Sequence, residues 1–92
     1  MADRNDAAQP RLARGVRLHF DVTREAWVLL APERIIETDG PVHDIVKRCD
    51  GAHSVQAIVD ELVALYAASA EEITGDVHAL LDELVEKRLI VL

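Results

Sequence analysis

From Val16 the chain alternates: Val16, Leu18 and Phe20 are apolar, while Arg17, His19 and Asp21 are polar. A period of two belongs to a strand with one face buried and one in solvent. Trp27-Val28-Leu29-Leu30 follows as a continuous apolar run of strand length. Pro32 then interrupts it, because proline fixes φ and has no N–H to give to a ladder. Arg34-Ile35-Ile36-Glu37 restarts as a third short strand. Val22-Thr23-Arg24-Glu25 is polar enough for a hairpin connection, although it lacks the Asn-Gly signal of the tightest turns. Short connections between successive strands predict an antiparallel meander. Its last strand is expected at the sheet edge, where free N–H and C=O groups can accept another chain as an added strand.

After Thr38 the period changes. Val42, Ile45, Val46 and Cys49 fall on one helical face, with Pro41 suited to the first turn and Asp50-Gly51 expected to close the helix. Ser54 is a good N-cap for a second helix whose apolar face is Val55, Ile58, Val59, Leu62, Leu65 and Tyr66. Ser69-Ala70-Glu71-Glu72 is a capping box opening a third helix, with Ile73, Val77, Leu80, Leu81, Leu84 and Val85 on its apolar face. Gly75 inside that pattern is expected to cost about 1 kcal/mol relative to Ala, unless its bare backbone admits a close neighbour. Lys87-Arg88 puts positive charge at the negative end of the helix. The tail Leu89-Ile90-Val91-Leu92 must dock on something, in this chain or a partner. The reading is an α+β, winged-helix-like domain: a three-stranded antiparallel sheet followed by three helices. It spans residues 10–92, behind a polar stretch, 1–9, expected to be mobile.

Ninety-two residues make one domain with a modest core. The apolar runs are far shorter than the ~20 residues of a membrane span, and the N-terminus has no apolar signal-peptide region. Cys49 is the lone cysteine, so no internal disulfide forms and a cytoplasmic setting is the natural reading. The net charge of −7 is uneven. Residues 1–34 hold six Arg against five Asp/Glu, while residues 35–92 hold four Lys/Arg against twelve Asp/Glu. Nucleic-acid binding rests on cations that neutralise phosphates, so DNA and anionic membranes are disfavoured partners for the helical part.

The chemistry-bearing residues give little. His19, His43, His53 and His78 lack metal-ligand spacing, and one cysteine cannot build a zinc site of Cys₄ or Cys₂His₂ type. Cys49 with His43 could be drawn as a nucleophile pair, but Cys49 occupies an apolar helix position, where structural cysteine is commoner. There is no glycine-rich phosphate loop and no nucleophile elbow. The expectation is therefore no catalysis, no cofactor and no metal. Trp27 reads as a core anchor, and Pro32-Glu33 as the turn that aims the third strand. A winged helix that reads DNA needs Arg, Lys, Asn or Gln on its recognition helix. The third helix instead offers Glu71, Glu72, Asp76, Asp82, Glu83 and Glu86, so the DNA-binding regulator ranks second to peptide capture along a strand edge.

The ordered set Arg17-Leu18, Asp21, Arg24, Val28-Leu29-Leu30, Pro32-Glu33, Cys49-Asp50-Gly51, Val55…Ile58…Leu62 and Asp76-Val77…Leu81…Leu84 resembles the PqqD family of pyrroloquinoline quinone (PQQ) biosynthesis. The resemblance runs from about Pro10 to Leu92. One departure is Arg88, where the family's pattern has glycine before the apolar tail. The resemblance implies a peptide chaperone that binds the precursor peptide PqqA and presents it to the radical S-adenosylmethionine enzyme PqqE, which joins a Glu and a Tyr of the peptide. It places the peptide between the third strand and the third helix. On this chain that means Arg34, Ile35, Ile36 and Glu37, facing Asp76, Val77, Leu80, Leu81 and Leu84. Residues at helical spacing are also what a core requires, so some of these apolar side chains must pack on the sheet. The open edge and the apolar tail would also permit a homodimer.

Overall fold

The computed structural model describes residues 6–38 and 40–92. In chain order the elements are β1 (Arg11–Leu12), β2 (Arg17–Asp21), β3 (Ala26–Ala31), β4 (Arg34–Glu37), α1 (Gly40–Val46), α2 (Val55–Tyr66), α3 (Ala70–Glu86) and β5 (Ile90–Val91). β2, β3 and β4 form the expected antiparallel meander. Three helices follow the sheet, as the change of period predicts.

Local chemistry sets both hairpins. In the first, the Asp21 carboxylate accepts from the N–H groups of Thr23 (3.0 Å) and Arg24 (3.2 Å), and Glu25 takes φ +54° to bring the chain back. In the second, Ala31 pairs with Arg34 across Pro32 and Glu33, and Glu33 has φ +65°. Proline at the first corner and positive φ at the second identify a type II turn. The register puts Leu18, Leu29 and Ile36 side by side on one face. That face packs on the helices around Ile58, Leu62, Val77 and Leu81, all at 2% exposure or less.

The helix starts are closed as read. Ser54 Oγ accepts from Ala57 N–H at 3.0 Å, and Ser69 Oγ from Glu72 N–H at 3.1 Å. α1 is shorter than its apolar spacing suggests. It ends at Val46, and tight turns (Arg48 N–H to Ile45 O, 3.1 Å; Cys49 N–H to Val46 O, 3.0 Å) still deliver Cys49 to the core. Gly75 has only open space where a side chain would stand, so no close approach explains it. Leu65, Tyr66 and Val85, read as core, are exposed at the margins of their helices.

Three findings lie beyond the expected fold. The apolar tail docks within the chain: β5 pairs antiparallel with β1, and Leu89 and Ile90 are buried at 0% and 2% exposure. A Schellman turn aims it, with Arg88 N–H bonded to Val85 O and Leu89 N–H to Leu84 O, both at 2.9 Å. Arg88 takes φ +64°, so the left-handed position that suits glycine holds arginine here. Second, of the stretch read as mobile, residues 1–5 lie outside the described residues, while Asp6 to Gln9 are hydrogen-bonded. The first two N–H groups of α2 lack helical partners, and Val55 donates to Ala8 O (2.9 Å) and Gln56 to Asp6 O (3.0 Å). Third, Trp27 is no core anchor. It is 41% exposed, edge-on to Phe20 at 5.4 Å and stacked on His43 at 5.2 Å. The two aromatics pair across β2 and β3 on the core-facing side of the sheet, where α1 reaches Trp27 through His43.

Candidate functional site

β4 is the edge of the larger sheet, and among the described residues no strand pairs with its outer side. The hairpin register decides which backbone groups are free there. In a two-residue hairpin the closing pair, Ala31 and Arg34, exchanges hydrogen bonds, and the bonded pairs then alternate. Ile36 therefore bonds inward to Leu29, and Thr38 N–H reaches Trp27 O at 3.1 Å in the same phase. Ile35 and Glu37 turn their N–H and C=O groups outward. Of the four β4 residues that the resemblance offers to a peptide, the register leaves Ile35 and Glu37 available and engages Arg34 and Ile36 with β3. The side chains run the other way: Ile36 packs on the core, whereas Ile35 is 53% exposed.

α3 is the other candidate wall. Arg34 Nη2 donates to Lys87 O at 2.8 Å, fastening the start of β4 to the C-terminal end of α3. Asp76 is exposed and Leu80 half-buried, but Val77, Leu81 and Leu84 are buried at 0%, 0% and 3% exposure. Those three belong to the floor and the core; Asp76 and Leu80 reach the surface. Glu71, Glu72, Asp76, Asp82, Glu83 and Glu86 are all exposed, and the last turn of α3 carries no basic residue. This face repels a phosphate backbone. The Arg24 guanidinium meets both Asp21 and Glu37 at 3.3 Å, which places a cation beside the far end of the open edge.

A half-open cavity of about 280 Å³ lies between the helices. Pro41 and Ile45 of α1, Leu62 and Tyr66 of α2, Ala68, and Glu72, Ile73, Asp76 and Val77 of α3 line it. Among these only Asp76 and Val77 were singled out for function by sequence. Tyr66, an aromatic at the last position of an amphipathic helix, is the one signal the sequence carries for the cavity.

Tyr66 also ends a polar chain. Its hydroxyl donates to Asp44, and this contact raises the tyrosine pKa. Arg48 lies 3.9 Å from Asp44 and 2.9 Å from Glu61, and the Arg48 bond leads in holding the Glu61 carboxyl below its ordinary range. His53 sits between Glu61 and Asp50 at 2.9 Å to each, one ring nitrogen apiece. The bond to Asp50 is the largest cause of the raised pKa of the ring, and the Glu61 charge adds to it. Backbone N–H bonds from His53, then Ala52, bring Asp50 down to about 2.

Cys49 does not form a nucleophile. Its thiol donates to Ile45 O at 3.3 Å, and burial, then the Asp50 charge, pushes its pKa up to about 12. His43 stacks on Trp27 instead of approaching the sulfur. His78 binds Asp6 at 2.9 Å, and among the described residues no group of His, Cys, Asp and Glu is placed to hold a metal. No described helix is long and apolar enough to cross a membrane.

Comparison with known proteins agrees with this architecture. A family model described as coenzyme PQQ synthesis protein D (PqqD) matches residues 26–90. A protein of Rhodopseudomonas palustris strain BisB5, named PqqA binding protein, is 46% identical over 91 residues, covering 95% of this chain and 89% of its own. One of the same name from Xanthomonas euvesicatoria pv. vesicatoria strain 85-10 is 46% identical over 83 residues, covering 90% of each. Among solved structures, the PqqD truncation of Methylobacterium extorquens PqqCD superposes with TM-score 0.75 at 40% identity, over 90% of this chain and 88% of that one. It is described as a stand-alone recognition element for ribosomally synthesized and post-translationally modified peptides. The crystal structure of PqqD from Xanthomonas campestris superposes with TM-score 0.61 at 41% identity, over 98% of this chain and 100% of that one.

Proposed function

Because the chain belongs to the PqqD family, we propose that it binds the precursor peptide PqqA of PQQ biosynthesis as an added strand on β4 and carries no catalysis of its own. The observation that carries this reading is the outward pair of backbone positions, Ile35 and Glu37, on an edge that no strand covers. Strand addition draws affinity from such main-chain groups and specificity from the pockets beside them. Asp76 and Leu80 supply the side-chain wall, while Val77, Leu81 and Leu84 hold α3 against the sheet behind it. The bound peptide is then presented to the radical S-adenosylmethionine enzyme PqqE, in the cytoplasm, where the thiol of Cys49 stays reduced.

The test is calorimetric titration of the protein with synthetic PqqA, comparing the natural sequence with Ile35→Pro. Proline at this position removes an N–H that the ladder with β3 does not use, so the sheet survives. Binding by the natural protein and a loss of about ten-fold or more in the variant, at matched folding, is the expected result. Equal binding by both would sink strand addition at β4.

A further inference from the structure

The Arg34–Lys87 contact ties the start of β4 to the C-terminal end of α3, and Glu72, Ile73, Asp76 and Val77 nearer the other end of α3 line the 280 Å³ cavity. β4 runs from Arg34 toward α1, while α3 runs from Glu72 and Asp76 toward Lys87. Asp76 joins the two regions: it belongs to the α3 side offered to the peptide and it also lines the cavity. At about 280 Å³, near the small end of ligand-site sizes, the cavity has room for a large side chain.

We infer that this cavity is an anchor pocket for the same peptide, taking one large apolar side chain that lies next to a basic residue. The inference rests on the reading of the protein as a PqqA-binding protein and extends the contact beyond the strand edge. Ile45, Leu62, Ile73 and the Tyr66 ring make the interior apolar. The charged groups among the lining residues are both carboxylates, Glu72 and Asp76, and both are exposed at the rim. Glu71 adds a third negative charge beside them, and no Lys or Arg occurs on α3 before Lys87. A cation next to the anchor meets this rim favourably, and an acidic neighbour is rejected. Tyr66 is held at the mouth by Asp44, which Arg48 in turn faces, so one wall of the pocket is fixed in place before the peptide arrives.

Three variants test this with the full chain and synthetic PqqA: Ala68→Phe, which fills the cavity; the double change Glu72→Lys with Asp76→Lys, which reverses the rim; and Ile35→Pro at the edge. The expected result is that each of the first two weakens binding about ten-fold or more, and that the rim reversal also flattens the salt dependence. Alanine scanning of the peptide then identifies one apolar position that loses its effect in Ala68→Phe and an adjacent Lys or Arg that loses its effect in the reversed rim. If Ile35→Pro loses binding while the cavity and rim variants bind like the natural protein, the pocket is refuted and strand addition stands. If the natural protein does not bind PqqA, both readings fall together. Should Ala68→Phe not fold, nuclear Overhauser contacts between peptide and the methyls of Ile45 and Ile73 in the natural protein decide: their presence supports the pocket and their absence overturns it.

Discussion

β4 and β5 are both short, both rich in isoleucine and valine-like character, and both fastened at the C-terminal end of α3, yet they end in opposite states. β5 is paired with β1 and its Ile90 is buried; β4 has a free outer side and its Ile35 is half exposed. The difference lies in what the rest of the chain supplies. Pro10 to Ala13 passes beside the tail and contributes backbone partners, including Ala13 N–H to Leu89 O at 2.9 Å. Nothing described passes beside β4. A short apolar strand is thus neither structural nor functional by composition; the presence of a local partner decides.

Breaking the closed strand gives the largest expected effect. Leu89→Ala empties a fully buried site between α3 and the terminal ribbon, and should cost about 2–5 kcal/mol in chemical denaturation. The open strand should show the reverse pattern. Ile35→Pro should cost well under that in stability while raising the Kd for PqqA about ten-fold or more, about 1.4 kcal/mol of binding. A stability loss as large as that of Leu89→Ala would mean that β4 is itself structural. Arg88→Gly sharpens the closed side further. It removes an L-residue from φ +64° and should stabilise the fold by roughly 1 kcal/mol in a thermal melt, without changing peptide affinity.

The smallest effects come from pH, and they act on the closed region alone. Gly51 N–H bonds Pro10 O at 2.9 Å and the backbones of Asp50 and Arg11 form an isolated antiparallel bridge, so the α1–α2 loop supports the terminal ribbon. Asp50 is depressed from 3.8 to about 2, so its contribution is complete above pH 3.8 and lost as pH falls through about 2. His53 is raised above 6.5, so its contribution is complete below 6.5 and fades as pH climbs through its raised value. Protection factors at Arg11, Leu12 and Asp50, corrected for the intrinsic pH dependence of exchange, should fall at both limits, and His53→Asn should remove the alkaline fall.

What the sequence discloses and what it hides divide along the same line. The β2–β4 meander and three helices are legible because alternation and helical spacing persist over several residues. The β1–β5 ribbon is invisible because two residues per strand carry no period. The ties from Asp6 and Ala8 to α2 are equally hidden, since backbone carbonyls leave no trace in side-chain chemistry. Alternation puts Phe20 on the core-facing side and a continuous apolar run makes Trp27 read as a core anchor, yet both are 41% exposed: the pattern reveals which way a side chain points, not how fully it is covered. At the candidate site, the strand edge follows from Pro32 and the short third strand. The inward phase of Ile36 follows only from the register, and the cavity only from the way α1, α2 and α3 come together.

The outward phase of the β4 backbone also sets a rate. Two residues present two N–H and two C=O groups, and at about 0.5–1.5 kcal/mol net for each bond the ladder alone yields roughly 2–6 kcal/mol. The loss of translational and rotational freedom on association costs about 4–15 kcal/mol, which over most of that range exceeds what a two-residue edge supplies. Side-chain contacts must supply the remainder, and dissociation is where such contacts are felt. A peptide held in this way has a dwell time governed by a few side chains. An enzyme that competes for those side chains can strip the peptide from its carrier without unfolding either protein.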